Sequence, residues 1–144
     1  MMDTETARKI FSRDRYAALA GIEIVDAGEG FCSARMRVED KHLNSVNIVH
    51  GGAIFTLADL AFAVASNSRG MVALAINAHI SFLQAVSSGM LTATATEVDE
   101  PGRLGSYDVV VTAENGNKIA VFSGMVYRKN HKLPFPDESE PRGT

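Results

Sequence analysis

The stretch "GGAIFTLADLAFAVASN", residues 51–67, constrains this chain more than any other. Its first fifteen residues are apolar nearly all round a helical projection, with Thr56 and Asp59 as the polar side chains. A helix with no polar face is buried on most sides. A sheet must therefore curl around it, or a partner must cover what the sheet leaves open. The lone acid raises a problem of charge. An ionised carboxylate in an apolar setting costs several kcal/mol unless it is compensated, and its usual response is a raised pKa. The helical neighbours of Asp59 are Phe55, Thr56, Phe62 and Ala63. None is a cation, and Thr56 alone offers a hydrogen bond. An acid with no local partner is a candidate for chemistry. On this helix alone the alternative is equally open: a buried acid satisfied by hydrogen bonds from elsewhere, or one at a narrow exposed seam.

The helix opens on His50-Gly51-Gly52. The first N–H groups of a helix lack intrahelical acceptors, and its dipole favours negative charge there. Glycine lets a ligand approach the backbone closely. Gly51 and Gly52 thus suit an oxyanion. The competing readings are that the glycines permit tight packing against a strand and that His50 caps the helix. Gly51 and Asp59 are eight residues apart, about 12 Å along a helix axis. One carboxylate cannot touch a group bound at the Gly51 N–H of its own helix. If both serve one site, a second copy must supply the other half, and antiparallel two-fold pairing would give two equal sites.

Around this helix the chain reads as α+β. "DTETARKIFSRDRYAALAG" is an opening helix with Asp3 or Thr4 as cap and Gly21 as its end. "IEIVDAGEG" and "FCSARMRVED" are two strands, the second alternating Cys32, Ala34, Met36 and Val38 against Ser33, Arg35 and Arg37. After the helix come "VALAINAHISFLQAV", "MLTATATEV", "LGSYDVVVTA" and "KIAVFSGMVYRK". Asn115-Gly116 is a hairpin signal. Short turns favour antiparallel neighbours among these last four strands. One antiparallel sheet with a helix on its face follows. Residues 1–130 are expected to form a single domain with an N-terminal helix, and 131–144 a frayed tail.

Composition closes several doors. The 144 residues are 46% apolar and 22% charged, with a formal net charge of −3. No global field attracts nucleic acid or anionic lipid. The charged start of the chain does not suit a signal peptide, and no run is apolar enough to span a membrane. A single cysteine, Cys32, excludes an internal disulfide and fits a reducing compartment, so the cytoplasm is the expected location. His42, His79 and His131 lack the spacing of a zinc site, and no metal is expected. No G-x-S-x-G elbow supports serine-hydrolase chemistry.

"NSVNIVHGGAIFTLADLAFAVA" resembles the motif of hot-dog-fold acyl-CoA thioesterases of the phenylacetic-acid-degradation (PaaI) type. That motif is Asn, five residues, His-Gly-Gly, then an acid seven residues on: here Asn44, His50, Gly51, Gly52 and Asp59. "FAVASNSRG" and "GSYDVVVTAENGNKIAVFSGMVYR" also resemble that group. The resemblance implies a sheet wrapped around one long helix, in homodimers paired into homotetramers, and no cofactor beyond the CoA of the substrate. It implies that the Gly51 N–H polarises the thioester carbonyl, an oxyanion contact worth roughly 3 kcal/mol. Asn44 and His50 position the thioester or the attacking water, and Asp59 of the facing subunit is general base or nucleophile. Gly52, Phe55 and Phe62 are candidate substrate contacts, and an aryl or arylacetyl group is the favoured acyl class. The rival reading is a non-catalytic acyl-CoA-binding module, a sensor or scaffold, which has no need of a buried acid at position 59.

The chain departs from the family pattern in three places. Asn47 stands where many members have Gly, Gln84-Ala85 where many have Arg-Pro, and Ala75 where some relatives place Ser or Thr. The second departure leaves the CoA phosphates to other cations. Arg103, Lys118, Arg128 and Lys129 are candidates, with solvated strand ends as their plainer reading.

Overall fold

The structure, a computed structural model, describes residues 2–99 and 102–134. The opening helix expected from the sequence is two helices, α1 (Thr4–Phe11) and α2 (Arg15–Ala20). Asp14 divides them. Its backbone is extended and its side chain accepts the Ala17 N–H at 3.0 Å, so it caps a new helix instead of continuing the old one. Gly21, with φ of 76°, ends α2 in the left-handed conformation.

The strands are β1 (Ile22–Gly28), β2 (Phe31–Arg37), β3 (Met71–Phe82), β4 (Met90–Glu97), β5 (Leu104–Thr112) and β6 (Lys118–Lys132). They form one sheet in the order β1-β2-β4-β5-β6-β3, antiparallel throughout. Sequential pairing holds for β4–β5 and β5–β6 but fails for β3. That strand pairs with β6 at the far edge, with β5 and β6 between it and β4. The loop after β3 is why. It passes over the end of β6, where the Leu83 and Gln84 N–H groups donate to the Ile119 carbonyl at 2.8 and 3.3 Å. It then offers the Val86 carbonyl to the Val49 N–H at 2.8 Å, beneath the start of the central helix. At the other end β6 outruns expectation. It extends to Lys132, and the buried Leu133 donates its N–H to the Gly70 carbonyl at 2.8 Å. The rest of the expected tail, 135–144, lies outside the described residues.

Helix α3 runs from Gly51 to Asn67, the span read from the sequence. The sheet wraps it. Leu57, Ala58, Ala61, Val64 and Ala65 are fully buried. On the facing strands Ala34, Ala93 and Ala95 are also fully buried. Small side chains on both surfaces let helix and sheet approach closely, in keeping with interior packing density. Past the C-terminal end, Arg69 bonds Glu29 and Glu97, and Glu97 accepts from the Tyr107 hydroxyl. A cation there complements the helix dipole and ties this end of α3 to the sheet, which fixes where its other end points.

Gly124 on β6 provides the tightest test of this packing. A Cβ there would lie 2.7 Å from the Phe62 ring, and that ring is enclosed by Tyr107 and Phe122. Gly124→Ala should lower stability by about 1–3 kcal/mol, measured by denaturant unfolding. Gly28→Ala, with nothing within 4 Å of its added carbon, should lose far less.

Candidate active site

The segment before α3 is a closed turn. The Asn44 N–H donates to the Ile48 carbonyl at 2.8 Å, and the Asn47 N–H to the Asn44 carbonyl at 3.0 Å. The Asn44 side-chain oxygen accepts the Val46 and Ile48 N–H groups at 3.0 and 3.3 Å. Asn47 has φ of 61°, a left-handed conformation that asparagine tolerates better than most residues. The departure from glycine at 47 therefore keeps the turn. Asn44 acts first as the clasp of this loop, and its carboxamide N–H₂ is the part left over for a ligand.

His50 is the N-cap of α3, and its Nδ1 accepts the Gly52 N–H at 2.8 Å. In the neutral ring the proton then sits on Nε2, as a donor. Gly52 was expected to offer a second amide beside Gly51. That amide is already taken by His50, which corrects the expectation. The Gly51 N–H has no acceptor among the described residues, as the first position of a helix predicts. The Phe82 ring packs against Gly51, 3.1 Å from where a Cβ would stand.

Two openings meet along α3. A groove of about 430 Å³ at the helix start is lined by His50, Gly52, Ala53 and Thr56 on one side and by Tyr16, Leu19 and Ala20 of α2 on the other, with Lys41, His42 and Leu43 at its end. A cleft of about 260 Å³ lies further along, walled by Asp14, Tyr16, Ala17, Phe55, Thr56 and Leu60 around Asp59. The Thr56 hydroxyl donates to the Gly52 carbonyl at 2.7 Å, so its proton does not go to Asp59. No hydrogen bond or ion pair reaches the Asp59 carboxylate from the described residues. Burial raises its pKa above the ordinary 3.8, and the negative charge of Asp14 raises it further. Among the described residues no group of three His, Cys, Asp or Glu side chains is placed to hold a metal, and no helix is long and apolar enough to cross a membrane.

A half-buried acid without a hydrogen-bond or ion-pair partner among the described residues and an open helix-terminal amide, on a sheet wrapped around that helix, suit ester or thioester hydrolysis. The comparisons agree. The sequence profile of the thioesterase superfamily matches residues 46–131. The acyl-coenzyme A thioesterase PaaI of Escherichia coli is 36% identical to this chain, over 86% of it and 89% of the relative. The chain belongs to the thioesterase superfamily. A putative esterase of Archaeoglobus fulgidus is 40% identical, over 87% of this chain and 82% of its own. The solved structure of E. coli PaaI superposes with a TM-score of 0.85 at 34% identity, covering 90% and 95% of the two chains. The TT0310 protein of Thermus thermophilus superposes at 0.77 with 33% identity, covering 81% and 99%. The protein is a PaaI-type hot-dog thioesterase.

Within this thioesterase, His50 and Gly52 line the head of the groove, with Gly51 between them in the chain, and Phe55 and Asp59 share the cleft. Phe62 does not join them. It is 1% exposed and packs edge-on against Tyr107 and at a tilt against Phe122. Two turns beyond Phe55 it lies on nearly the same face of α3, and both rings meet Phe122, but Phe62 sits deeper, closed in by Tyr107 as well, so it is core and not a substrate contact. Of the candidate cations, Arg128 is engaged with the Gly102 carbonyl and the Tyr107 hydroxyl, and Arg103 with the Tyr127 hydroxyl. Lys41 instead lines the groove.

Sequence reading missed Asp14, Tyr16 and His42. The signal for Asp14 was present, as an N-cap residue inside an assumed helix. His42 is 4% exposed. Its Nδ1 accepts the Glu39 N–H at 2.9 Å, and its Nε2 meets the Ala20 carbonyl at 2.7 Å. Its own carbonyl accepts the His50 N–H at 2.7 Å. Nothing local in the sequence marks it as a strut between α2 and the helix start.

The raised pKa of Asp59 gives a stability prediction. The folded state holds this proton more tightly than the unfolded chain does, so stability is lost as pH rises through the folded-state value. Asp59→Asn removes that loss. Its melting temperature at pH 7 should equal or exceed that of the parent protein, and the gap should close below about pH 4. A clear fall in melting temperature at neutral pH would contradict a partnerless acid.

Proposed function

We propose that this protein hydrolyses an acyl-CoA thioester to the free acid and CoA, with an aryl or arylacetyl acyl group as its substrate class. The observation that carries the reading is the Asp59 carboxylate, half-buried in a cleft beside Asp14, with no hydrogen-bond or ion-pair partner among the described residues and with its pKa raised by burial. A group of that kind is a base or nucleophile held in reserve. The names of the E. coli relative and its structure, an acyl-coenzyme A thioesterase from the phenylacetic acid degradation operon, support the substrate class.

The chemistry balances on this chain's own groups. As general base, Asp59 takes a proton from water while the oxygen attacks the carbonyl carbon. Negative charge grows on the carbonyl oxygen and is met by the Gly51 N–H, with the His50 Nε2–H beside it. The C–S bond then breaks, and the CoA sulfur takes up a proton. As nucleophile, Asp59 would instead form an acyl anhydride that water opens in a second step. Both routes use the same two groups.

Those groups sit about 12 Å apart along one helix, so the site is assembled from two subunits. The edge strand β3 supports the arrangement. Its residues 74–79 are exposed on both faces, Leu74 and Ile76 among them, and one of its edges has no strand beside it. A long apolar edge is a liability unless it is covered. Antiparallel pairing of two β3 edges would cover it and set two α3 helices in opposite directions, Asp59 of each toward the Gly51 of the other. Two such dimers would make the tetramer that the family resemblance implies.

The test is thiol release from a panel of acyl-CoAs. Asp59→Asn should reduce kcat by at least about a hundredfold. Gly51→Pro should cost about a hundred- to a thousandfold in kcat. Proline suits the first helical position and removes only its N–H, and the half-exposed Phe82 ring can shift to admit it. Unchanged turnover in Asp59→Asn refutes the reading. Tight acyl-CoA binding with no turnover in the parent protein indicates the sensor instead. The acid limb of kcat/KM should lie above the ordinary carboxylate range. In Asp14→Asn it should move to lower pH, because the like charge that disfavours the ionised form is gone.

A further inference from the structure

Tyr16 and Leu19 lie one turn apart on α2 and are 70% and 73% exposed. Folding does not require two large apolar side chains to face outward from a six-residue helix. The Tyr16 hydroxyl has no hydrogen bond among the described residues, so neither ring nor hydroxyl is spent on holding the fold. Both side chains line the groove that begins at His50 and Gly52. Tyr16 also lines the Asp59 cleft, and it shares that double position with Thr56 alone. It therefore stands where the groove at the start of α3 passes into the next opening along the helix.

The helix that carries Tyr16 is anchored to the catalytic segment. Asp14 caps its start. Its last carbonyl, that of Ala20, is held by the buried His42 at 2.7 Å, and His42 in turn accepts the His50 N–H at 2.7 Å. Movement of α2 relative to the start of α3 would have to break this chain of bonds. The walls near Tyr16 are Leu19, Ala20, Leu43 and Ala53. The groove volume, about 430 Å³, falls within the range of small-ligand sites. At its far side the Asp59 cleft is closed by Ala17, Phe55 and Leu60. An exposed aromatic face over such walls suits a flat ring, through stacked or edge-on contact.

We propose that α2 is the acyl-selecting wall of the site, with Tyr16 as its specificity-determining residue, its ring contacting an aromatic acyl group seated in the groove that leads from His50 and Gly52. The inference rests on the reading of this site as an acyl-CoA thioesterase. Asp59 and Gly51 perform the hydrolysis, and Tyr16 decides which acyl group stays long enough to be hydrolysed. Its contribution therefore falls on binding of one substrate class and not on the chemical step.

The experiment measures kcat and KM for the full-length protein and for Tyr16→Phe and Tyr16→Ala, with phenylacetyl-CoA and butyryl-CoA as probes. In Tyr16→Ala, KM for phenylacetyl-CoA should rise about five- to tenfold, the worth of one aromatic contact. Its kcat, and both constants for butyryl-CoA, should stay within about twofold. Tyr16→Phe should keep the parent preference. Melting temperature and size-exclusion volume are followed in parallel. An equal loss on both thioesters, no loss on either, or a parent protein that turns over only the butyryl thioester would overturn the proposal and leave the thioesterase reading standing. A Tyr16→Ala protein that changes its oligomeric state would show the face to be a subunit contact, and would overturn it too. A parent protein that hydrolyses neither, nor any other thioester, overturns both readings at once.

Discussion

A helix rises about 1.5 Å per residue, and that fixed dimension governs this molecule. Eight residues of α3 separate the open Gly51 amide from the Asp59 carboxylate, a distance that no side-chain rotation closes. Each end is well built for its part. The Gly51 N–H is free because the first position of a helix has no acceptor within the helix, while His50 occupies the next amide. The hydroxyl one turn before the carboxylate, that of Thr56, bonds the Gly52 carbonyl and not Asp59. The sheet wrapped around α3 and the Arg69 anchor at its far end hold both groups in place. In the proposed dimer, the uncovered edge of β3 supplies the missing dimension.

The same features carry a cost in stability that the proposed function explains. Leaving an acid partly buried beside another acid raises its pKa and penalises its ionised form. A chain selected for stability alone would place an alanine or leucine there, as it does at Ala58 and Leu57 on the same helix. The retained strain makes the carboxylate a better proton acceptor near neutral pH than an exposed aspartate would be. Asp14 therefore has two roles. It starts α2 as a cap and adds the negative charge that helps to raise the pKa of Asp59.

Local chemistry was legible in the sequence, and distant pairing was not. The limits of α3 follow from His50-Gly51-Gly52 at one end and the loss of the apolar pattern at the other. The strand spans follow from alternation, as in Cys32, Ala34 and Met36. The place of β3 beside β6 escapes any local rule, because turn length does not specify which strand a long edge segment finds. Asp14 could have been read as a cap. His42 could not, since its worth lies in a carbonyl of α2 and an amide of His50, both remote or indirect in sequence. Phe55 and Phe62 stand on nearly the same face of one helix, and what separates them is depth: the sheet closes over Phe62 and leaves Phe55 at the wall of a cleft. The roles of the catalytic candidates come from the family resemblance, and the structure adds which of their atoms are free.

Subunit mixing tests the shared site most directly. Asp59→Asn and Gly51→Pro chains, each inactive alone, are co-expressed with separate tags and the mixed dimers isolated. In a shared site each mixed dimer carries one pocket with both groups intact and one with neither, so about half of the parent activity per dimer should return. Mixed dimers as inactive as either variant alone would contradict a site built from two chains.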